Sequence, residues 1–506
     1  MWMRLNSGTA VILALLALYS LTGCASTPPK GPPSVEQSTF IPSSPLLENG
    51  DRYYYFIESQ LARRKGDLEK SVVLLEQAIS SDPDAFFLKK ELANLYLRQK
   101  KPEKALDLIQ MMLEKDPDNV DSLILYGKLQ QGLNKNTEAK QAYERVIAIE
   151  PGQKEIYLRL GPIYMEEGDQ DNAFRVYEQL VRLFPESYVG HFFLGKIYVE
   201  RGDLVKAEEK FRKTLELEPD LEDPQFELLD IYEIQGKDKK IIQIYKKLLE
   251  DNPENIRAGI GLGYFYYNIG MLESSEKILK QLGDKSQTNP DIIRTVVELY
   301  IERKKFDAAV IILEGMLKGA PRNSDLHYAA GVAFEGIKDE QMMIAHLNAV
   351  KPDSRFYESA VVHIAYLYQE KGETQKAIQF LEEVIQKIPD NPDFFIYLGS
   401  FYEDMADYAN AEQTLMRGIA VDPVDVRLRF RLGVIYDKWN RKADSIEVMK
   451  KVIEMDPQNA NALNYLGYTY AEMGQNLEEA ERLIREALKQ KPNDGYIIDS
   501  LGWVFY

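Results

Sequence analysis

KEIYLRLGPIYMEEGDQDNAFRVYEQLVRLFPES, residues 154–187, decides the fold. Apolar residues recur at three- and four-residue spacing, stop at Glu167-Gly168-Asp169, and resume until Pro185. That pattern predicts two amphipathic helices joined by a tight turn. Glycine suits the left-handed residue that ends a helix, and the Asp after it can cap the next one. Proline then stops the second helix by driving its predecessor out of the helical region.

The same unit repeats outward in both directions. Pro83, Pro117, Pro151, Pro185, Pro219 and Pro253 stand 34 residues apart, and the series resumes at Pro321, Pro389, Pro423 and Pro457 in the same phase. Slots recur within each period. The eighth is small (Ala93, Gly127, Gly161, Gly195, Gly263, Gly331, Gly399, Gly433, Gly467), and the eleventh is aromatic (Tyr96, Tyr164, Tyr198, Tyr232, Tyr266, Tyr300, Tyr436, Tyr470). The twentieth is often alanine, with a larger apolar residue four later, as at Tyr143, Tyr177 and Phe211. Small residues at the eighth and twentieth slots let paired helices approach closely, and Asn119, Asp220, Asn255 and Asn391 are expected to cap successive units.

These slots resemble the tetratricopeptide repeat. The resemblance implies an all-α fold, a TPR α-solenoid in which antiparallel helix pairs wind into a right-handed superhelix. Thirteen tandem units are expected over 52–494, in 34-residue steps from 52–85 to 426–459 and then 460–494, with one residue added near Asn476. Residues 495–506 read as the first helix of an incomplete fourteenth unit. Its Trp503, Val504, Phe505 and Tyr506 would expose apolar surface, so the natural chain is expected to continue, or this helix to dock on a partner or a second copy. In unit 324–357 the second helix is expected to end early, at Lys351-Pro352, with a bend near 349–357.

In this family the second, fifth, ninth and twelfth positions of each first helix line the concave groove. By that resemblance the partner-binding residues are Lys90, Asn94, Lys128, Phe192, Lys196, Phe226, Arg257, Tyr264, Tyr267, Arg294, Tyr328, Tyr366, Phe430 and Tyr468. Aromatic and Arg side chains dominate binding energy at interfaces. Lys90 and Asn94 match two positions of the carboxylate clamp for chaperone tails, but Leu125 and Glu155 stand where it needs Asn and Lys, so that clamp is absent.

No catalytic constellation emerges. His191, His327, His346 and His363 lack metal-ligand spacing and read as structural, so no metal or cofactor is expected. The run Gly259-Ile260-Gly261-Leu262-Gly263 is no dinucleotide fingerprint, because its third glycine comes one residue early and no strand precedes it.

The lone cysteine places the protein. Residues 1–23 combine a short basic start with an apolar run, Ala10 to Leu18, too short to span a bilayer. Leu21-Thr22-Gly23-Cys24 resembles the lipobox of bacterial lipoproteins, which implies cleavage before Cys24 and acylation of its sulfur and amine. Residues 24–51 read as the lipidated cysteine and a Pro-rich, aperiodic flexible tether, whose stretch 25–48 has a reach under about 75 Å. Ala25 rather than Asp after the cysteine implies the outer membrane, facing the periplasm. Formal charge is −18, and loss of Arg4 with the signal makes it −19. Such a surface repels nucleic acid and anionic headgroups, which leaves the lipid as the anchor.

The expectation is a membrane-anchored, non-enzymatic scaffold that binds peptide segments or envelope proteins in its groove. Its setting would be an envelope assembly or export complex serving secretin or pilus, outer-membrane protein or exopolysaccharide. The alternative is a substrate-recruiting subunit of an envelope enzyme whose catalytic domain lies beyond residue 506 or on another chain.

Overall fold

The computed structural model describes residues 51–506. The signal peptide at 1–23, Cys24 and the tether up to residue 50 lie outside the described residues. Asp51, counted above in the tether, opens the first helix, Asp51–Arg64. The described chain is all-α, with 27 α-helices, one π-helical stretch and no strand. It divides into two compact units, Met1–Gly190 and His191–Tyr506. The expected bend near 349–357 lies inside the second.

Helices of 13 and 14 residues alternate, as in Val120–Gly132 with Asn136–Ile149 and Val426–Lys438 with Lys442–Met455. The turn inside each pair holds one left-handed residue. Glycine fills it at 66, 168, 202, 236, 270, 372 and 474, but Lys100, Asn134, Lys304, Lys338, Ala406 and Asn440 adopt it too. From Gly66 to Gly474 these positions recur every 34 residues without a gap. Only Asn476, at the added residue, lies off that beat. Asp67, Asp169 and Asp203 cap the helices after the turn, each accepting from a backbone N–H three residues on. Asn119, Asn255 and Asn391 cap the first helix of a pair. Asp220 does not, because the cap position is taken by Leu221, which has no acceptor to offer.

The eighth-slot glycines seat large side chains, a more specific role than backbone approach. A Cβ at Gly161 would fall 2.4 Å from the ring of Tyr177, and one at Gly127 would fall 2.5 Å from that of Tyr143. In the second unit Gly195 faces Phe211 and Gly263 faces Leu279 in the same way, at 2.6 Å each. These rings are fully buried and supply the core between paired helices. Four eleventh-slot tyrosines join one pair to the preceding one. Their hydroxyls donate to a glutamate there: Tyr96 to Glu76 (2.7 Å), Tyr164 to Glu144 (2.8 Å), Tyr232 to Glu208 (2.9 Å) and Tyr436 to Glu412 (2.6 Å).

The regular pattern breaks between residues 283 and 357. Helix Asp291–Val296 continues as a π-helix, Val297–Ile301, closed by Glu302 N–H donating to the Val297 carbonyl at 2.9 Å. Helix Glu340–Asn348 has only nine residues and stops three before Lys351. Backbone meets backbone where Leu272–Ser286 crosses Phe306–Leu317: a Cβ at Gly283 would lie 1.9 Å from the Met316 carbonyl oxygen.

Candidate functional site

Most of the expected groove cations are already neutralised within the chain. Lys90 pairs with Asp121 at 2.6 Å and Lys128 with Glu155 at 2.9 Å, each reaching an acid on the next helix pair. In the second unit Lys196 reaches Glu227 at 3.6 Å, and Arg294 folds back on Asp291 at 2.9 Å. Asn94 is half-buried in Phe86–Arg98. Several aromatics pack on neighbours. Phe192 contacts Phe193 and Phe211, Tyr328 stacks on Phe356 at 4.6 Å, Phe430 meets Tyr465 edge-on, and Tyr468 tilts against Trp503. Tyr267 and Tyr366 stand exposed.

Three groove residues differ, because the fold brings them to one cavity. Phe226 on Glu222–Ile234, with Arg257 and Tyr264 on Ile256–Asn268, line a space of about 470 Å³. Asp230, Glu233, Tyr245, Gly261, Tyr300, Arg303, Lys305 and Asp307 also line it. The Arg257 guanidinium lies 3.7 Å over the Phe226 ring, and Tyr264 meets Tyr300 edge-to-face at 6.0 Å. Gly261 makes the floor possible, since a Cβ there would strike the Tyr245 hydroxyl at 2.6 Å. The π-helix carries Leu299 and Tyr300 into the wall; such insertions recur at functional sites.

The electrostatics set this cavity apart. Among the described residues, Asp230, Glu233, Arg257, Arg303 and Lys305 make no ion pair, whereas the other groove cations do. Burial pushes the Asp230 carboxyl up, against the pull of Arg257 and Lys305. Burial also raises Glu233, and the Asp230 charge raises it further. Burial pushes the Tyr300 phenol up to about 12. Six unpaired charges, Asp307 being the sixth, and an aromatic lining can hold a polar chain segment bearing both signs of charge, through hydrogen bonds strengthened by partial desolvation.

Asp230 and Glu233 occupy the ninth and twelfth positions of their helix, so the slot rule reaches them once acids are admitted beside aromatics and cations. Tyr300 falls in the eleventh, aromatic slot, and nothing in the periodicity signals the π-helical turn that carries it. Among the described residues no three His, Cys, Asp or Glu side chains converge as a metal site, and no helix is long and apolar enough to cross a membrane.

Stacked helical hairpins with a lined inner face define a class of protein-binding repeat arrays. The chain belongs to the tetratricopeptide repeat family. Sequence models described as "Tetratricopeptide repeat" match residues 62–129, 235–293 and 368–429, 127–188 and 158–222, 426–459, and 448–482. The matched stretches leave out 294–367, where the helix lengths depart from the pattern. TPR repeat-containing protein PA4667 of Pseudomonas aeruginosa is 26% identical over 181 residues, which is 36% of this chain and 30% of that protein. The match therefore spans about a third of the relative's length. Among solved structures, Naa15/Naa10 bound to HypK-THB is similar over 90% of this chain and 80% of that one, at 15% identity and a TM-score of 0.43. Pseudomonas aeruginosa pilF is similar over 42% and 96%, at 15% identity and a TM-score of 0.34. The family and fold make the chain a protein–protein interaction scaffold.

Proposed function

We propose that this scaffold holds a partner segment in the cavity between Phe226 and Lys305, and that it works lipid-anchored at Cys24 in a bacterial envelope assembly or export complex. One observation carries the binding reading: charges paired elsewhere along the groove are left unpaired around this one aromatic-lined space. An occupant with both signs of charge would replace the ion pairs that the chain does not make for itself. Repeat arrays use such inner surfaces for extended partners. The anchoring reading rests on the Leu-x-Gly-Cys sequence and the Pro-rich stretch after it.

The binding test places a photo-crosslinking amino acid at Tyr264 in the full chain, expressed in a bacterial envelope, with Val205 as an exposed control site. A discrete adduct at Tyr264, absent at Val205 and lost with Arg257→Glu, is expected. Identical adducts at both sites, or indifference to Arg257→Glu, would remove the cavity from the binding role. Radioactive fatty acid should label wild type and not Cys24→Ser; an unlabelled wild type ends the anchoring claim. Should the adduct prove to be an enzyme, the recruiting-subunit alternative replaces the assembly one.

A further inference from the structure

Outside the cavity, two imidazoles face each other. His327 lies on Ser324–Gly336 and His346 on Glu340–Asn348, with their Nδ1 atoms 3.1 Å apart. The outer nitrogens are engaged as well. His327 Nε2 is 3.1 Å from the Pro321 carbonyl oxygen, and His346 Nε2 is 2.9 Å from Glu314 Oε1 on Phe306–Leu317, within ion-pair distance but out of line for a hydrogen bond. The His346 ring is buried and stacks on Phe334 at 5.2 Å.

The distances distinguish a shared proton from a shared metal. The ring centres are 5.3 Å apart, close to the 3.1 Å contact plus the two ring radii, so both nitrogens lie on the line joining the centres. That is the geometry of a straight N–H···N bond. Two nitrogens on one tetrahedral ion would converge on a third point instead.

A proton count follows from the partners. The Pro321 carbonyl oxygen only accepts, so His327 Nε2 carries hydrogen, and a bare His346 Nε2 lone pair 2.9 Å from the Glu314 carboxylate would be repelled, so that nitrogen carries one too. The central contact needs one more. Three N–H groups on two imidazoles leave the pair with a single positive charge, held against Glu314.

We propose that His327 and His346 are a one-proton clasp fastening helix Glu340–Asn348 to Ser324–Gly336, its partner helix in the same repeat, and that a second proton opens it. With both rings charged, two N–H donors would meet head-on and the rings must part. The charged groups facing the pair are Glu314 and Lys318. Lys318 is itself held by Glu276 of Leu272–Ser286 at 2.6 Å. His363, on the following helix Tyr357–Glu370, is turned to Glu335 at 3.2 Å. The sign agrees. Burial, the largest cause, and the charge of His346 hold His327 below its ordinary 6.5, against the opposing pull of the Pro321 carbonyl and Glu314. The unfolded chain therefore binds this proton more readily, and acidification below about 6.5 disfavours the clasped state.

The test labels the histidine Cε1 carbons of the full chain, whose four histidines are assignable by single substitution. His327 should take up its proton below 6.5, and His346→Asn should move that curve upward. In the same protein the exchange protection of 340–348, corrected for intrinsic rates, should fall by up to about tenfold per pH unit below that point. An ordinary His327 titration that ignores His346→Asn overturns the proposal. So does unchanged protection on acidification in wild type, a readout that needs no variant to fold. Stoichiometric zinc that displaces the shared proton would make this a metal site instead. None of these outcomes bears on partner binding in the cavity.

Discussion

Substituting Gly283 with alanine should destabilise the second compact unit, although alanine is the better helix former. The added Cβ would sit 1.9 Å from the Met316 carbonyl oxygen, where ordinary contact begins at 3.4 Å, so two backbones must part by about 1.5 Å. Neither can yield by rotating a side chain. The crossing is close in both directions, since a Cβ at Gly319 would meet the Lys280 carbonyl oxygen at 2.1 Å. Separation loosens Leu279, Leu313 and Met316, all buried. Overpacking of this severity costs about 3 kcal/mol, and helix propensity returns about 1 kcal/mol, leaving a net loss of about 2 kcal/mol. Gly259→Ala is the control. Its Cβ would make an ordinary 3.4 Å contact with Leu282, so propensity should win there by about 0.5–1 kcal/mol. Repeat arrays unfold by segments, so the assay is hydrogen exchange over 272–317 alongside urea unfolding. A Gly283→Ala protein as stable as Gly259→Ala would refute the backbone crossing.

Two further outcomes follow from local geometry. Ala406 sits at φ +56° in a turn where most repeats have glycine; Ala406→Gly should relieve about 1 kcal/mol and raise Tm, while Gly66→Ala, at φ +81°, should lower it by a similar step. Burial pushes the Glu208 carboxyl up, but the Tyr232 hydroxyl and the ammonium groups of Lys240 and Lys237 outweigh it and hold the group below its ordinary 4.5. Its contribution is therefore full at neutral pH and lost as pH falls through that lowered value, so the stability gap between wild type and Glu208→Gln should close on acidification, as read by melting at pH 7 and pH 3.

The proline metre and the glycine slots made the helical pairs legible, because each unit must bury the same face against the same neighbours. The left-handed turn was legible only where glycine marks it. At Lys100, Lys304 and Ala406 the packing of two helices imposes a conformation that the residue itself disfavours, so local propensity is silent. The groove positions could be enumerated, but not their charge state. Whether a lysine is free or spent depends on an acid 27 to 31 residues away, as with Lys128 and Glu155 or Lys90 and Asp121. The one departure that shapes the cavity wall, the π-helix at 297–301, is closed by the Glu302 N–H donating to a carbonyl five residues back. Composition carries no trace of it.

The cavity draws its walls from three successive helix pairs, 222–323. An occupant would therefore bridge two seams at once, in an array where each repeat otherwise leans only on its neighbours. Partner concentration would then be written into the molecule as a stiffened middle stretch, raised by RT ln(1 + [L]/Kd), while the ends keep their own melting behaviour. A scaffold built this way reports its cargo through uneven rigidity along its length.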